Sequence, residues 1–336
     1  MRKGGDEHGI HLTRHGRPSP WRPHRRGGRG RLAHGRHRHS RTPAPKGAPA
    51  AGPTRPGAGP DRRAGTLPPG FLLERGRFTP VAIPPGLEDL APQGISPLDL
   101  NDRGQIVGSY ADPAVAEHGF LLDRGRFTTV DVPDAKGTQA QGISHRGQIV
   151  GVYSDTSNPS ITGAQLRGFL LDRGRYVRLD APGSVTSQAS DINDRGQVVG
   201  EYQDAAGRFH GYVWERGRFT TIDVPGQPGT TVTGINNRGQ ITGTAGPAEA
   251  SVGFLLDRGR FTTFAVPGAQ LTVPYGLNDR GQTVGLSVSG PTGSTLSGFL
   301  RDARGRVTAI NRPGAAATAA FDINNRGRIV GVAGNP

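Results

Sequence analysis

The chain has 336 residues, with 41 Lys or Arg against 27 Asp or Glu, 54 glycines and no cysteine. The absence of cysteine excludes disulfides and thiolate metal sites, and no apolar run is long enough to cross a membrane as a helix. The formal charge of +14 is unevenly placed, because residues 1–68 hold 16 basic side chains against 3 acidic ones while residues 69–336 hold 25 against 24.

Residues 1–68 are rich in Arg, His, Gly and Pro and almost lack β-branched and aromatic side chains. Such a segment cannot bury enough apolar surface to offset the entropy of ordering, so it is expected to be a disordered basic tail. Its charge predicts nonspecific binding to polyanions. Within it HGRHRHS and RRGGRGR could suggest a metal or an RNA contact, but both sit in low-complexity context and are weak signals. The N-terminus has basic residues without the apolar core of an export signal. That leaves a cytoplasmic location open; a translation start lying elsewhere would also account for the tail.

From Gly70 onward one phrase recurs six times: GFLLERGRFTP, then variants from Gly119, Gly168, Gly211, Gly253 and Gly298, at intervals of 49, 49, 43, 42 and 45 residues. Each is followed by a second phrase, for example LNDRGQIVG from Leu100 and INNRGQITG from Ile235. A period near 40 to 50 residues marks one supersecondary unit per repeat, stacked on its neighbours because it cannot bury its apolar surface alone. The best-spaced unit, residues 198–240, reads as strands Val198–Tyr202, Phe209–Trp214 and Arg218–Val224, then a Pro-Gly link into Thr230–Asn236. Arg-Gly and Asn-Asp-Arg-Gly supply the tight turns. The pattern predicts a four-stranded meander with TGINN innermost, QITG second, GFLL third and FTTF outermost, which is the pattern of a β-propeller blade.

The chain starts with the outer half of a unit, Gly70–Leu73 and Phe78–Ile83, and ends with the inner half, Phe321–Asn324 and Arg328–Val332. The halves complement each other. The expectation is therefore an all-β, six-bladed propeller over residues 69–336, closed by pairing of the terminal half-blades, which removes the edges of an open stack. A β-solenoid or a row of sandwiches would not account for the complementary ends.

Alternate turns of a meander fall on opposite faces. One face collects Arg103, Arg146, Arg195, Arg238, Arg280 and Arg326 from the one-two turns and pairs such as Arg124 with Arg126 from the three-four turns, 18 arginines against nine acids. These arginines are candidates for an anionic-polymer surface, or simply soluble flanks of glycine turns. The other face carries loops that vary in length, where scaffolds usually place binding residues. Blades one to three share Tyr-x-Asp, as Tyr110 and Asp112, Tyr153 and Asp155, and Tyr202 and Asp204, with His118 and His210 just before third strands. This half-ring is the candidate ligand site; the plainer reading is that each Tyr packs at a strand end and each Asp caps a turn.

Catalytic signals are scarce. His145 replaces the Asn or Asp of a turn, no Ser stands in a nucleophile elbow, and the acid of LLDRG is a turn residue six times over. Asp131, Asp180 and Asp223 recur near the Pro-Gly links, which suits outer strands better than catalysis. DINDRG from Asp191 has Arg195 where a calcium loop needs oxygen, so no metal or cofactor is expected.

GFLLDRGRFTTVDVP from Gly119, the His-Gly at His118, and GINNRGQITG from Gly234 resemble the HAF-repeat proteins over about residues 69–336. The resemblance implies a bacterial extracellular or cell-surface repeat domain and carries no catalytic residues. The expected function is a noncatalytic binding or structural module for a surface glycan or a protein. The alternatives are a propeller enzyme of lyase or glycosidase type, and a polyanion or nucleic-acid binder using the Arg face and tail.

Overall fold

In the computed structural model the described residues are 70–91, 94–154, 165–247, 250–290 and 295–334, with the pair Arg14–His15. The rest of the tail, for which the sequence predicts disorder, and Asp155 lie outside them. The repeats form six antiparallel sheets of four repeat strands. Blade I is Ile95–Leu100, Ile106–Ala111, Glu117–Asp123 and Arg126–Val130, from axis to rim. Blade II runs from Gly137–Ile143 to Arg175–Leu179 and blade III from Thr186–Ile192 to Arg218–Ile222. Blade IV runs from Thr230–Ile235 to Arg260–Phe264 and blade V from Leu271–Leu277 to Val307–Ile310. Arg14–His15 pairs with the outer strand of blade III as a short fifth strand.

Blade VI closes the ring. Its inner strands Ala317–Ile323 and Ile329–Gly334 come from one end of the repeat region and its outer strands Gly70–Glu74 and Arg77–Pro80 from the other. They join in the register Gly70↔Val332, Phe71↔Gly331, Leu72↔Val330 and Leu73↔Ile329, as the complementary halves predicted.

The two repeated phrases are cross-strand partners. In every blade the glycine of the second strand faces the aromatic of the third, for example Gly108↔Phe120, Gly200↔Tyr212 and Gly243↔Phe254. A Cβ on Gly243 would stand 2.0 Å from the Thr231 carbonyl oxygen and 2.9 Å from the Phe254 ring, so only glycine lets the ring lie flat on the strand. The apolar core is split among the interfaces between blades. Val199, Ile222 and Val224 of blade III and its link pack on Val232, Ile235 and Phe254 of blade IV. The link valines are buried here, and a Thr six residues on pins them: the Val132 amide donates to Thr138 Oγ1 at 3.2 Å and the Val224 amide to Thr230 Oγ1 at 2.9 Å.

Five of the six three-four turns are type I′ hairpins, the blade V turn Asp302–Arg306 being longer. Arg124, Arg173 and Arg258 have φ of 50°, 50° and 49°, each followed by a glycine at 75° to 81°. This is the left-handed pair that matches the twist of adjoining strands.

Candidate functional site

Two places bring polar side chains together, and they lie on opposite faces. The first is the mouth of the central channel on the Arg face. Each inner strand carries a one-residue register shift just before its last residues, as between Pro97 and Asp99 or Ala189 and Asp191. Such a bulge re-aims the side chain that follows it. The residues delivered around the ring are Asp99, Gly142, Asp191, Gly234, Gly276 and Asp322. Six side chains would not fit there: a Cβ on Gly142 would come 2.8 Å from the Asp191 Cα, and one on Gly276 2.2 Å from Asp322 Oδ1. Three glycines make room for three carboxylates.

Each carboxylate bridges blades. Asp99 accepts from the Leu100 amide and from the Ile143 amide of the next blade; Asp191 accepts from Ile192 at 2.6 Å and Ile235 at 2.8 Å. Asp99 is buried and the other two are half-buried. Burial, then like charge from neighbouring aspartates, pushes Asp99 and Asp191 well above the usual carboxylate range. Burial raises Asp322 to about 6, while its hydrogen bond with Asp99 works the other way.

Outside them lies a ring of turn residues. Asn101 Nδ2 donates to the Ser144 carbonyl at 3.1 Å, and Asn193, Asn236, Asn278 and Asn324 repeat this to the next blade at 3.0 to 3.2 Å, Asn324 returning to Asn101. Ser144 replaces Asn in blade II. Next to it, the Asn325 amide donates to Asp102 at 2.8 Å and the His145 amide to Asp194 at 2.6 Å. His145 is therefore a turn residue, as read from the sequence. The Gln of the same phrase ties the turn to the neighbouring hairpin, as Gln105 Nε2 donates to Asp123 at 3.1 Å. Around this rim Arg103, Arg146, Arg195, Arg238, Arg280 and Arg326 are all exposed.

The second place is the half-ring of blades I to III on the variable-loop face. In blade I the His118 ring stacks on Tyr110 at 5.1 Å, its Nδ1 meets Asp131 Oδ2 at 2.8 Å and its Nε2 meets Asp112 Oδ2 at 3.4 Å. Blade III repeats the cluster: His210 stacks on Tyr202 at 5.0 Å, with Asp223 at 2.9 Å from Nδ1 and Asp204 at 3.2 Å from Nε2. In blade II Arg167 stands in the histidine position and Asp180 is held by Arg178, while Tyr153 is half-buried beside them. Tyr110 is buried to 1% exposure under His118 and bonds Thr129 Oγ1 at 2.9 Å. The imidazoles and carboxylates, rather than the phenols, are what blades I and III present.

Burial disfavours the charged His118 ring, but the hydrogen bond and charge of Asp131, helped by Asp112, outweigh it and raise its pKa. The Arg208 amide, followed by His210, lowers Asp204. Asp112 and Asp204 also cap their loops, accepting from Ala116 at 2.8 Å and from Ala206 and Arg208 at 2.9 Å, as the plainer sequence reading anticipated. The partners that reading did not foresee are Asp131 and Asp223, assigned only to outer strands. They fall just past the strand ends Val130 and Ile222 and face the histidines. The signal was present, because Tyr-x-Asp, His-Gly and Asp-x-Pro occur together in blades I and III and vanish together in blades IV and V, where Val252 and Ser297 replace the histidine.

Both imidazole nitrogens of each cluster face carboxylates. Among the described residues no group of three His, Asp or Glu is placed to hold a metal ion.

No family model and no curated relative matches this chain. Among solved structures it is similar to TolB from Acinetobacter baumannii, at TM-score 0.50 and 13% identity over 71% of this chain and 55% of TolB, so it spans about half of that protein. It is also similar to the Aleuria aurantia lectin, a six-bladed propeller that recognises fucose, at TM-score 0.44 and 12% identity over 69% and 82% of the two chains. A third is virginiamycin B lyase from Staphylococcus aureus, at TM-score 0.40 and 11% identity over 71% and 94%. The likeness is one of fold. Fold does not decide function, so ligand and chemistry must be argued from this chain's own residues.

Proposed function

We infer that the chain is a noncatalytic binding module whose specific ligand occupies the variable-loop face over blades I to III. The observation that supports this most is the pair of Asp–His–Asp clusters. They are accessible at the surface, with the His118 side chain 26% and the Asp131 side chain 40% exposed, yet both ring nitrogens are spoken for. The carboxylates of these clusters keep acceptor capacity for outside donors. A hydroxyl-rich ligand, a carbohydrate, suits that inventory. The resemblance to HAF-repeat proteins adds an extracellular or cell-surface setting, while the ligand class rests on the chemistry of the clusters alone.

The test is a glycan screen with the full chain, followed by Asp131→Asn, Asp223→Asn and Tyr153→Ala. Each should weaken the glycan found by about fivefold or more, as loss of a charged hydrogen bond or a packed ring would, with Arg146→Ala on the far face nearly neutral. Cleavage of any screened glycan would overturn the noncatalytic reading. An unchanged affinity in all three variants would overturn the assignment of the face.

A further inference from the structure

The Arg face is built unlike an ordinary soluble surface. Five of the six three-four turns place arginine at a left-handed φ: Arg75, Arg124, Arg173, Arg216 and Arg258. Asparagine or glycine adopts that conformation at far lower cost. At three of these turns the neighbouring acid is shared: Asp123, Asp172 and Asp257 accept from Gln105, Gln148 and Gln240 through one oxygen, and the other meets its own arginine only at 3.9 to 4.0 Å. The side chains of Arg124, Arg173 and Arg258 are 91%, 94% and 94% exposed. Charge on these turns is retained against the conformational preference of the backbone.

We propose that this face is a docking surface for an anionic lipid bilayer. The hairpins are repeats in the same register of six equivalent blades, so their tips lie at one level around the axis. With strands spaced about 4.8 Å apart and four to a blade, the face is roughly 40 Å across. A flat array of phosphates brings every turn within a screening length of about 8 Å at once. A linear polyanion would cross the face as a stripe and leave the turns on either side unengaged. Apart from the small Ala303, the turns carry no exposed apolar side chain, and none large enough to insert among acyl chains or stack on bases. Attachment is therefore peripheral and electrostatic, and it turns the variable-loop face, with its candidate ligand site, away from the membrane.

The full chain tests this, because the basic tail is then common to all variants. The triple variant Arg124→Asn, Arg173→Asn, Arg258→Asn suits the type I′ turns and should keep or raise the melting temperature. Three charges removed at a membrane surface should lower affinity for vesicles of phosphatidylglycerol and phosphatidylcholine by about 100-fold at physiological salt. A second variant, Arg238→Gln with Arg280→Gln at the inner rim, should lower it in the same sense. Duplex DNA, served by the tail, should lose less than threefold. Unchanged vesicle affinity in both variants would overturn the proposal, and a loss for DNA equal to that for vesicles would make a nucleic acid the occupant instead. Glycan binding in the triple variant is a separate readout and bears only on the opposite face.

Discussion

Arg258 and Gly243 show how much a single position of the repeat carries. At Arg258, φ of 49° imposes a left-handed strain of about 1 kcal/mol that asparagine largely avoids. Arg258→Asn should thus raise the midpoint of urea unfolding, and Arg258→Val should lower it. At Gly243 a methyl group would meet the Thr231 carbonyl, and neither strand can retreat without parting from the Phe254 ring. Gly243→Ala should cost about 1–3 kcal/mol in the same measurement. His118 carries a pH-dependent contribution. Its folded pKa is raised, so the stabilisation from Asp131 and Asp112 is complete below the unfolded value and is lost as pH rises through the folded one. The ring resonances should titrate above the ordinary histidine range, and Asp131→Asn should bring that midpoint down. The glycines and turn arginines were legible in the sequence because they recur six times at fixed spacing. The His118–Asp131 contact was not, since its partners lie 13 residues apart across a hairpin and the pattern recurs only twice.

The inner strand is the element on which the ring depends. Its bulge sends an Asp or Gly toward the axis, and in five of the six blades the Asn just after it reaches across to the next blade, so one strand of six or seven residues serves packing within the blade and bonding between blades. The carboxylates make this arrangement sensitive to pH. Asp322 titrates near 6 when folded, above its unfolded value, and Asp99 and Asp191 are displaced in the same direction. Their contribution is therefore complete below the unfolded carboxylate range; that of Asp322 declines as pH rises through 6, and those of Asp99 and Asp191 as pH rises through their own raised values. Unfolding free energy measured between pH 4 and 8 should fall with rising pH on this account, and Asp322→Asn should flatten the slope. Strand order and turn positions followed from the sequence pattern, and residues 198–240 place each strand within two residues of the expected bounds. The carboxylate trio did not follow. Asp191 was weighed only as a calcium ligand, because a bulge that turns an aspartate toward the axis leaves no mark on the alternation of polar and apolar residues.

At the scale of the molecule, closure decides stability. Deleting residues 321–336 removes the inner half of blade VI and exposes strand edges on both sides of the gap, whereas deleting residues 1–60 leaves every repeat pairing in place. The first deletion should abolish the cooperative thermal transition or lower it by more than 15 °C, several kcal/mol in a domain of this size. The second should move it by only a degree or two. Charge is partitioned around the ring: 18 of the 25 basic side chains of residues 69–336 come from the turns of one face, while Asp112, Asp131, Asp134, Asp180, Asp204 and Asp223 belong to the loops opposite.

Blade VI also fixes an order of events in biosynthesis. The hairpin Gly70–Pro80 is made first and its partner Ile329–Gly334 last. At translation speeds of up to about 20 residues per second, the early hairpin waits on the order of 12 s or longer for the strand that completes its sheet. Throughout that interval Gly70–Glu74 presents an open edge that another nascent chain could capture, so the ribosome-bound state is the stage at which this protein most needs a chaperone.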